Sequence, residues 1–280
     1  MATPILDNHI HLEPFRGRNI EAVKDFERLG GTHLIISHLP YEEVPTRELS
    51  DFKRAYDLTI SLKDRVNRET SVRAYATVGP YPVQLMDLEK QFGLDRAKEL
   101  MFRAFEMAAD YVREGKAIAI GEVGRPHFPV SSDIWRASNE LLLLGMSLAK
   151  EAGCAIVLHT EHATVDNMRE LASMAEQAGL DRNRVVKHYC PPLVHPKENF
   201  GLMPSVLASK EAVKEALEKG TRFLLETDFL DDPRRPGAVL SITTVPKRTN
   251  AFIKQGLMTE EQAHVIHSEN PKMTYGSAFE

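Results

Sequence analysis

Apolar residues along this chain fall into two alternating kinds of segment: short runs apolar at nearly every position, and longer stretches where they recur every three or four residues. The first kind suits strands covered on both faces, as in a parallel sheet. The second suits helices with one buried stripe. Strand-like runs occupy 4–12, 32–39, 72–78, 117–123, 155–160, 184–190, 203–208 and 222–229. Asn19 is placed to cap a helix that carries Ile20, Val23 and Phe26 inward, and a charged helix is predicted over 48–68. Asp95 opens a long helix with Leu100, Ala104, Phe105, Ala108 and Val112 on one face. Ser132 or Asp133 starts the next, whose stripe is Ile134, Ala137, Leu141, Leu144, Leu148 and Ala152. Thr164 and Ser209 cap two more, and Gly153, Gly179 and Gly220 close these three in turn. The capping box Thr259-Glu260-Glu261-Gln262 begins a helical tail.

Eight strands, each followed by helical sequence and with no linker between them, predict an α/β chain folded as a single (β/α)8 TIM barrel over 1–280 with a helical C-terminal tail. A doubly wound open sheet is the competing architecture. It would place a glycine-rich phosphate turn after the first strand, where this chain has Glu13-Pro14-Phe15-Arg16.

Composition narrows the setting. A net charge of -5 supplies no overall basic field for extended duplex DNA. Cys154 and Cys190, both at predicted strands, make no disulfide framework. With no basic leader and no apolar run of membrane-spanning length, a cytoplasmic protein away from membranes is expected. The oligomeric state is left open.

Barrel enzymes gather their chemistry at the C-terminal ends of the strands. There the chain places His9 and His11 on strand one, Glu122 on strand four, His159 on strand five, His188 on strand six and Asp228 after strand eight. An isolated H-x-H is as readily a pair of hydrogen-bonded histidines. Convergence of four histidines and two carboxylates at one mouth instead predicts a metal centre. Six ligands exceed the needs of one tetrahedral ion, so two divalent ions are expected, of zinc, manganese or magnesium. Glu122 is the natural bridge, with His9, His11 and Asp228 on one side and His159 and His188 on the other. A water or hydroxide held between the ions would be the nucleophile, and Asp228 could take its proton and return it to the leaving group. Asp7 and Glu226 share the parity of the ligands on their strands and are expected to orient histidines.

The set D-N-H-I-H, G-E-V-G, L-H-T, K-H-Y and E-T-D, with Asn270-Pro271 near the end, resembles the TatD-related metal-dependent hydrolases of the amidohydrolase superfamily. The resemblance spans nearly the whole chain. It implies a two-metal TIM barrel that hydrolyses phosphodiester bonds, as 3′ to 5′ deoxyribonucleases of the family do, and gives the same six residues the ligand roles. Relatives commonly carry an arginine shortly after the strand-five histidine; here His159-Thr160-Glu161 puts an acid there. The turns Arg125-Pro126-His127 and Tyr189-Cys190-Pro191-Pro192 also leave the family pattern.

Substrate contacts are accordingly expected from Arg125, His127, Glu161, His162, Tyr189, Arg234 and Arg235, the arginines through charge-assisted hydrogen bonds. His38 is placed to support the site or touch substrate. Three functions follow: hydrolysis of phosphodiesters at a nucleic-acid end, hydrolysis of a small cyclic amide, lactone or related substrate as Glu161 and the negative net charge suggest, or a barrel that binds without turnover.

Overall fold

The computed structural model describes residues 3–276 and residue 279. Seven of the apolar runs form β1 (Leu6–His11), β2 (His33–Ser37), β3 (Arg73–Val78), β4 (Ala119–Gly124), β5 (Ala155–His159), β6 (Val185–Cys190) and β7 (Met203–Leu207). The eighth run, expected as one strand, is two: β8 (Leu224–Glu226) and β9 (Phe229–Leu230). All pair in parallel, in the order β8-β7-β6-β5-β4-β3-β2-β1-β9. The two edge strands of that order are consecutive pieces of one segment, so the sheet closes on itself as a barrel. Hydrogen bonds from the backbone N–H of Asp228 to the His9 carbonyl and of Asp231 to the His11 carbonyl, each 3.0 Å, seal the seam.

Around the barrel lie α1 (Ile20–Arg28), α2 (Leu49–Glu69), α3 (Gln84–Phe92), α4 (Leu94–Arg113), α5 (Ser132–Ala152), α6 (Val165–Ala178), the single turn α7 (Pro196–Asn199), α8 (Lys210–Lys219) and α9 (Thr244–Lys254). The tail continues through α10 (Glu260–His264), a π-helical turn (Val265–Glu269) and α11 (Asn270–Tyr275). Thr164, Ser209 and Thr259 cap as their sequences predict, each hydroxyl accepting a backbone N–H of the first turn. Ser132 starts α5 as its sequence suggests, and Ser131 before it caps the helix by accepting from Ile134 N. Two predicted caps differ. The α4 cap position is Gly93, because the unpredicted α3 runs straight into α4 and leaves Asp95 in the first turn. Asn19 makes no capping bond; the carboxylate of Asp231 takes the N–H groups of Arg18 and Asn19 instead.

Leu6, Ile35, Tyr75, Ala119, Val157, Val186, Met203 and Leu224 pack together with Tyr275 and Phe279 of the tail in one buried cluster. A larger layer lies between strands and helices, where Phe52, Tyr56, Phe105, Leu142 and Met146 are buried. Pairing is regular along β2 and β3. It slips between Asp7 and Ile10 on β1, Ile120 and Val123 on β4, and Lys187 and Cys190 on β6. Each irregularity brackets a predicted ligand. Bulges of this kind re-aim a side chain at the cost of a ladder bond.

Candidate metal centre

On β1, the Nε2 atoms of His9 and His11 lie 3.2 Å apart. Ser37, the last residue of β2, holds the far side of both rings: its carbonyl is 3.0 Å from His11 Nδ1 and its hydroxyl 3.0 Å from His9 Nδ1. A carbonyl only accepts, so His11 carries a proton on Nδ1, and its Nε2, once it gives up its own proton, has a lone pair for a cation at the centre. Asp228 completes this half, with Oδ1 3.3 Å from His11 Nε2 and 3.9 Å from His9 Nε2. Its backbone is left-handed, φ 50°, which breaks the eighth strand and turns the carboxylate into the barrel mouth. Asp is among the few residue types that tolerate this conformation. Thr227 anchors the turn through its N–H and hydroxyl on Asp7, at 3.0 and 2.6 Å.

Glu122 joins this half to the other. Its Oε1 is 2.5 Å from His159 Nδ1 and 3.0 Å from His188 Nε2, while Oε2 points between His9 and His11, 3.7 Å from each Nε2. Glu226 fixes His188 by accepting at Oε1 from His188 Nδ1 (3.1 Å) and from Tyr189 N (2.7 Å), and Ser205 donates to its other oxygen. Among the described residues, buried Oε2 of Glu122 has no hydrogen-bond partner. A buried carboxylate oxygen aimed at two imidazole lone pairs is a costly arrangement without a cation and a good donor set with one. Ligand atoms about 2.0–2.2 Å from a tetrahedral divalent ion stand about 3.4 Å from one another, close to the 3.2 and 3.3 Å found here. The donor atoms of His9, His11 and Asp228 form one group of ion-holding size, and those of Glu122, His159 and His188 another. The residues therefore fit divalent metal.

The electrostatics agree with the geometry. Burial acts to raise both acids, but the positive His188 and His159 hold Glu122 well below the usual carboxylate range. The hydrogen bond from His11 and the nearby histidine charges likewise hold Asp228 low. Burial opposes a charge on His188, yet Glu122 and Glu226 hold its pKa well above the ordinary value. Two buried carboxylates are thus kept ionised by protons on histidines, and a bound cation would displace such protons.

The expected rim residues divide. His127 Nδ1 is 2.9 Å from His159 Nε2, and Tyr81 OH, from the turn after β3, is 3.2 Å from the same nitrogen. His127, His162 and Tyr189 line a cavity of about 310 Å³ at the mouth together with His159, Lys187, His188 and Asp228. Arg125 is not available to substrate. It is wholly buried over the Trp135 ring at 4.6 Å, and its guanidinium is bound by Glu161, Asn139 and Glu170. Glu161 is correspondingly no free acid, since Arg125 and Asn167 occupy its oxygens. Arg234 is committed to Glu42 and Asp232, and Arg235 lies exposed beside it.

Asp7, expected to orient a histidine ring, reaches Thr227 and the His9 backbone instead, because the β1 irregularity breaks the parity from which that role was read. His38 is buried with Nδ1 3.1 Å from Thr59 Oγ1, and burial drives its pKa down to about 3, so it stays neutral. Ser37 and Tyr81 are absent from the sequence expectation, and Thr227 and Lys187, within the E-T-D and K-H-Y motifs, carry no role of their own in it. Ser37 ends β2 and Tyr81 lies in the turn after β3, the only signal that would have pointed to them.

A closed parallel barrel with a histidine and carboxylate cluster at its mouth is the arrangement of a metal-dependent hydrolase, the class in which the family match below places the chain. Residues 6–276 match the model of the TatD related DNase family, and the chain belongs to that family. An uncharacterized protein of Methanocaldococcus jannaschii is 39% identical over 279 residues, covering 99% of this chain and 97% of that one. Among solved structures, a TatD homolog from Escherichia coli K12 superposes with TM-score 0.67 at 18% identity over 98% of this chain and 99% of its own. The phosphotriesterase homology protein from Escherichia coli, complexed with phosphate in its active site, does so with TM-score 0.61 at 15% identity over 98% and 99%.

Proposed function

We propose that this chain hydrolyses phosphodiester bonds at the end of a nucleic-acid strand, using two divalent ions held by His9, His11, Glu122 and Asp228 on one side and by Glu122, His159 and His188 on the other. The observation that carries the reading is Glu122, one oxygen seated against His159 and His188 and the other unpartnered between His9 and His11. Family membership and the phosphate held by a structural neighbour favour a phosphorus centre as the group attacked. When bound, divalent ions would polarise the phosphoryl oxygen and lower the pKa of water.

The chain's own residues supply the rest. Asp228, ionised and facing the mouth, accepts the proton of the attacking water and returns it to the oxygen leaving phosphorus. Ser37 and Glu226 keep the ring nitrogens of His9, His11 and His188 turned inward. Tyr81 and His127 hold the outer nitrogen of His159.

The amide or lactone reading rested on Glu161 as a free acid and on the negative net charge, and the Arg125 ion pair removes the first of these. Metal analysis of the purified protein, with assays on oligonucleotide, amide and lactone panels, tests the proposal. Divalent metal with turnover confined to phosphodiesters is expected. Metal-loaded protein that cuts only lactones or amides would overturn it.

A further inference from the structure

Lys187 is the least accounted-for charge near the mouth. It is 2% exposed, and its Nζ makes one hydrogen bond, 2.7 Å to the His188 carbonyl. An ammonium has three donors, and burying one without a carboxylate counter-ion is costly. Among the described residues no carboxylate forms an ion pair with it. Glu161 is taken by Arg125. Lys187 is also not sealed in an apolar core. It lines the mouth cavity with His159, His162, His188, Tyr189 and Asp228.

Resting on the phosphodiester reading for the kind of anion, we infer that Lys187 is the anion seat of this site, binding the phosphate group of the substrate beside the metal ligands. A charge-assisted hydrogen bond from a buried ammonium is strong because little water competes for it.

The test titrates inorganic phosphate into divalent-metal-loaded wild type, Lys187→Met and Lys187→Gln, read by calorimetry, with thermal unfolding of each variant measured alongside. Wild type is expected to bind phosphate, and both variants to bind it about 10- to 100-fold more weakly, while melting at or above the wild-type temperature because an unpaired buried charge has been removed. On ¹⁵N-lysine-labelled wild type, the Lys187 ammonium resonance should shift along the same titration. Equal phosphate affinity in wild type and variants, or variants that melt lower with unchanged affinity, would show a structural lysine and overturn the inference. Lys187-dependent phosphate binding by a protein that leaves oligonucleotides intact would sink the phosphodiester reading and leave the anion seat standing.

Discussion

Ser37 shows how much of this site rests on residues that never touch a metal or substrate. Its hydroxyl and carbonyl fix the outer nitrogens of His9 and His11. Ser37→Ala removes only the hydroxyl, so His9 alone loses its partner. Metal affinity measured by competition with a chelator should fall about 10- to 100-fold, the usual cost of such an outer partner, with the melting temperature of the metal-free protein little changed. Arg125 makes the opposite case. Arg125→Met strands Glu161 and Glu170; breaking a buried ion pair costs about 3–5 kcal/mol, less here because both acids are partly exposed and screened. Denaturant unfolding should show that loss, and KM of the folded enzyme should stay at the wild-type value. All six ligand candidates stood out in the sequence because each is a metal-binding residue type at a strand end. Arg125 and Glu161 were misplaced because two opposite charges on neighbouring loops satisfy each other, and a linear sequence does not reveal which loops touch.

At the level of elements, periodicity located the strands and most helices, since a closed parallel barrel buries its strands on both faces and each helix on one. The caps are a sharper test. Ser131→Ala should cost about 1 kcal/mol in urea unfolding, whereas Ser132→Ala, inside the first turn, should cost little; the reverse order would mean that Ser132, not Ser131, caps α5. The helix α3 went unseen because Gly79-Pro80 reads as a stop and the apolar Leu85 and Leu88 are too few for a convincing stripe. The slips on β1, β4 and β6 and the break between β8 and β9 were also beyond reach. A bulge depends on which two strands face each other, and it overrides the alternation from which inward and outward positions are read.

Across the whole molecule, the tail closes what the strands begin. His267, in the π-helical turn, sets Nδ1 3.1 Å from the backbone of Leu6 on β1 and Nε2 2.9 Å from Thr249 Oγ1 on α9. Burial holds its pKa down to about 4, against an ordinary 6.5. The unfolded chain therefore binds a proton that the fold excludes, so this stability is fully present above pH 6.5 and is lost as pH falls from there toward 4. A difference of that size corresponds to about 3 kcal/mol. His267→Gln should flatten the loss of stability across that window; an unchanged acid profile would show that other groups set it.

The proposed reaction, metal-dependent hydrolysis of phosphodiesters at the six converging residues, meets its sharpest test with a single-stranded oligonucleotide, labelled at one end and resolved at single-nucleotide length, given to divalent-metal-loaded wild type and to Asp228→Asn. Stepwise loss of terminal nucleotides by wild type is expected, abolished by chelation, restored by added divalent metal, and reduced about 10²- to 10⁴-fold in the variant. An oligonucleotide left at full length by the metal-loaded wild type, or cut equally well by Asp228→Asn, would contradict it.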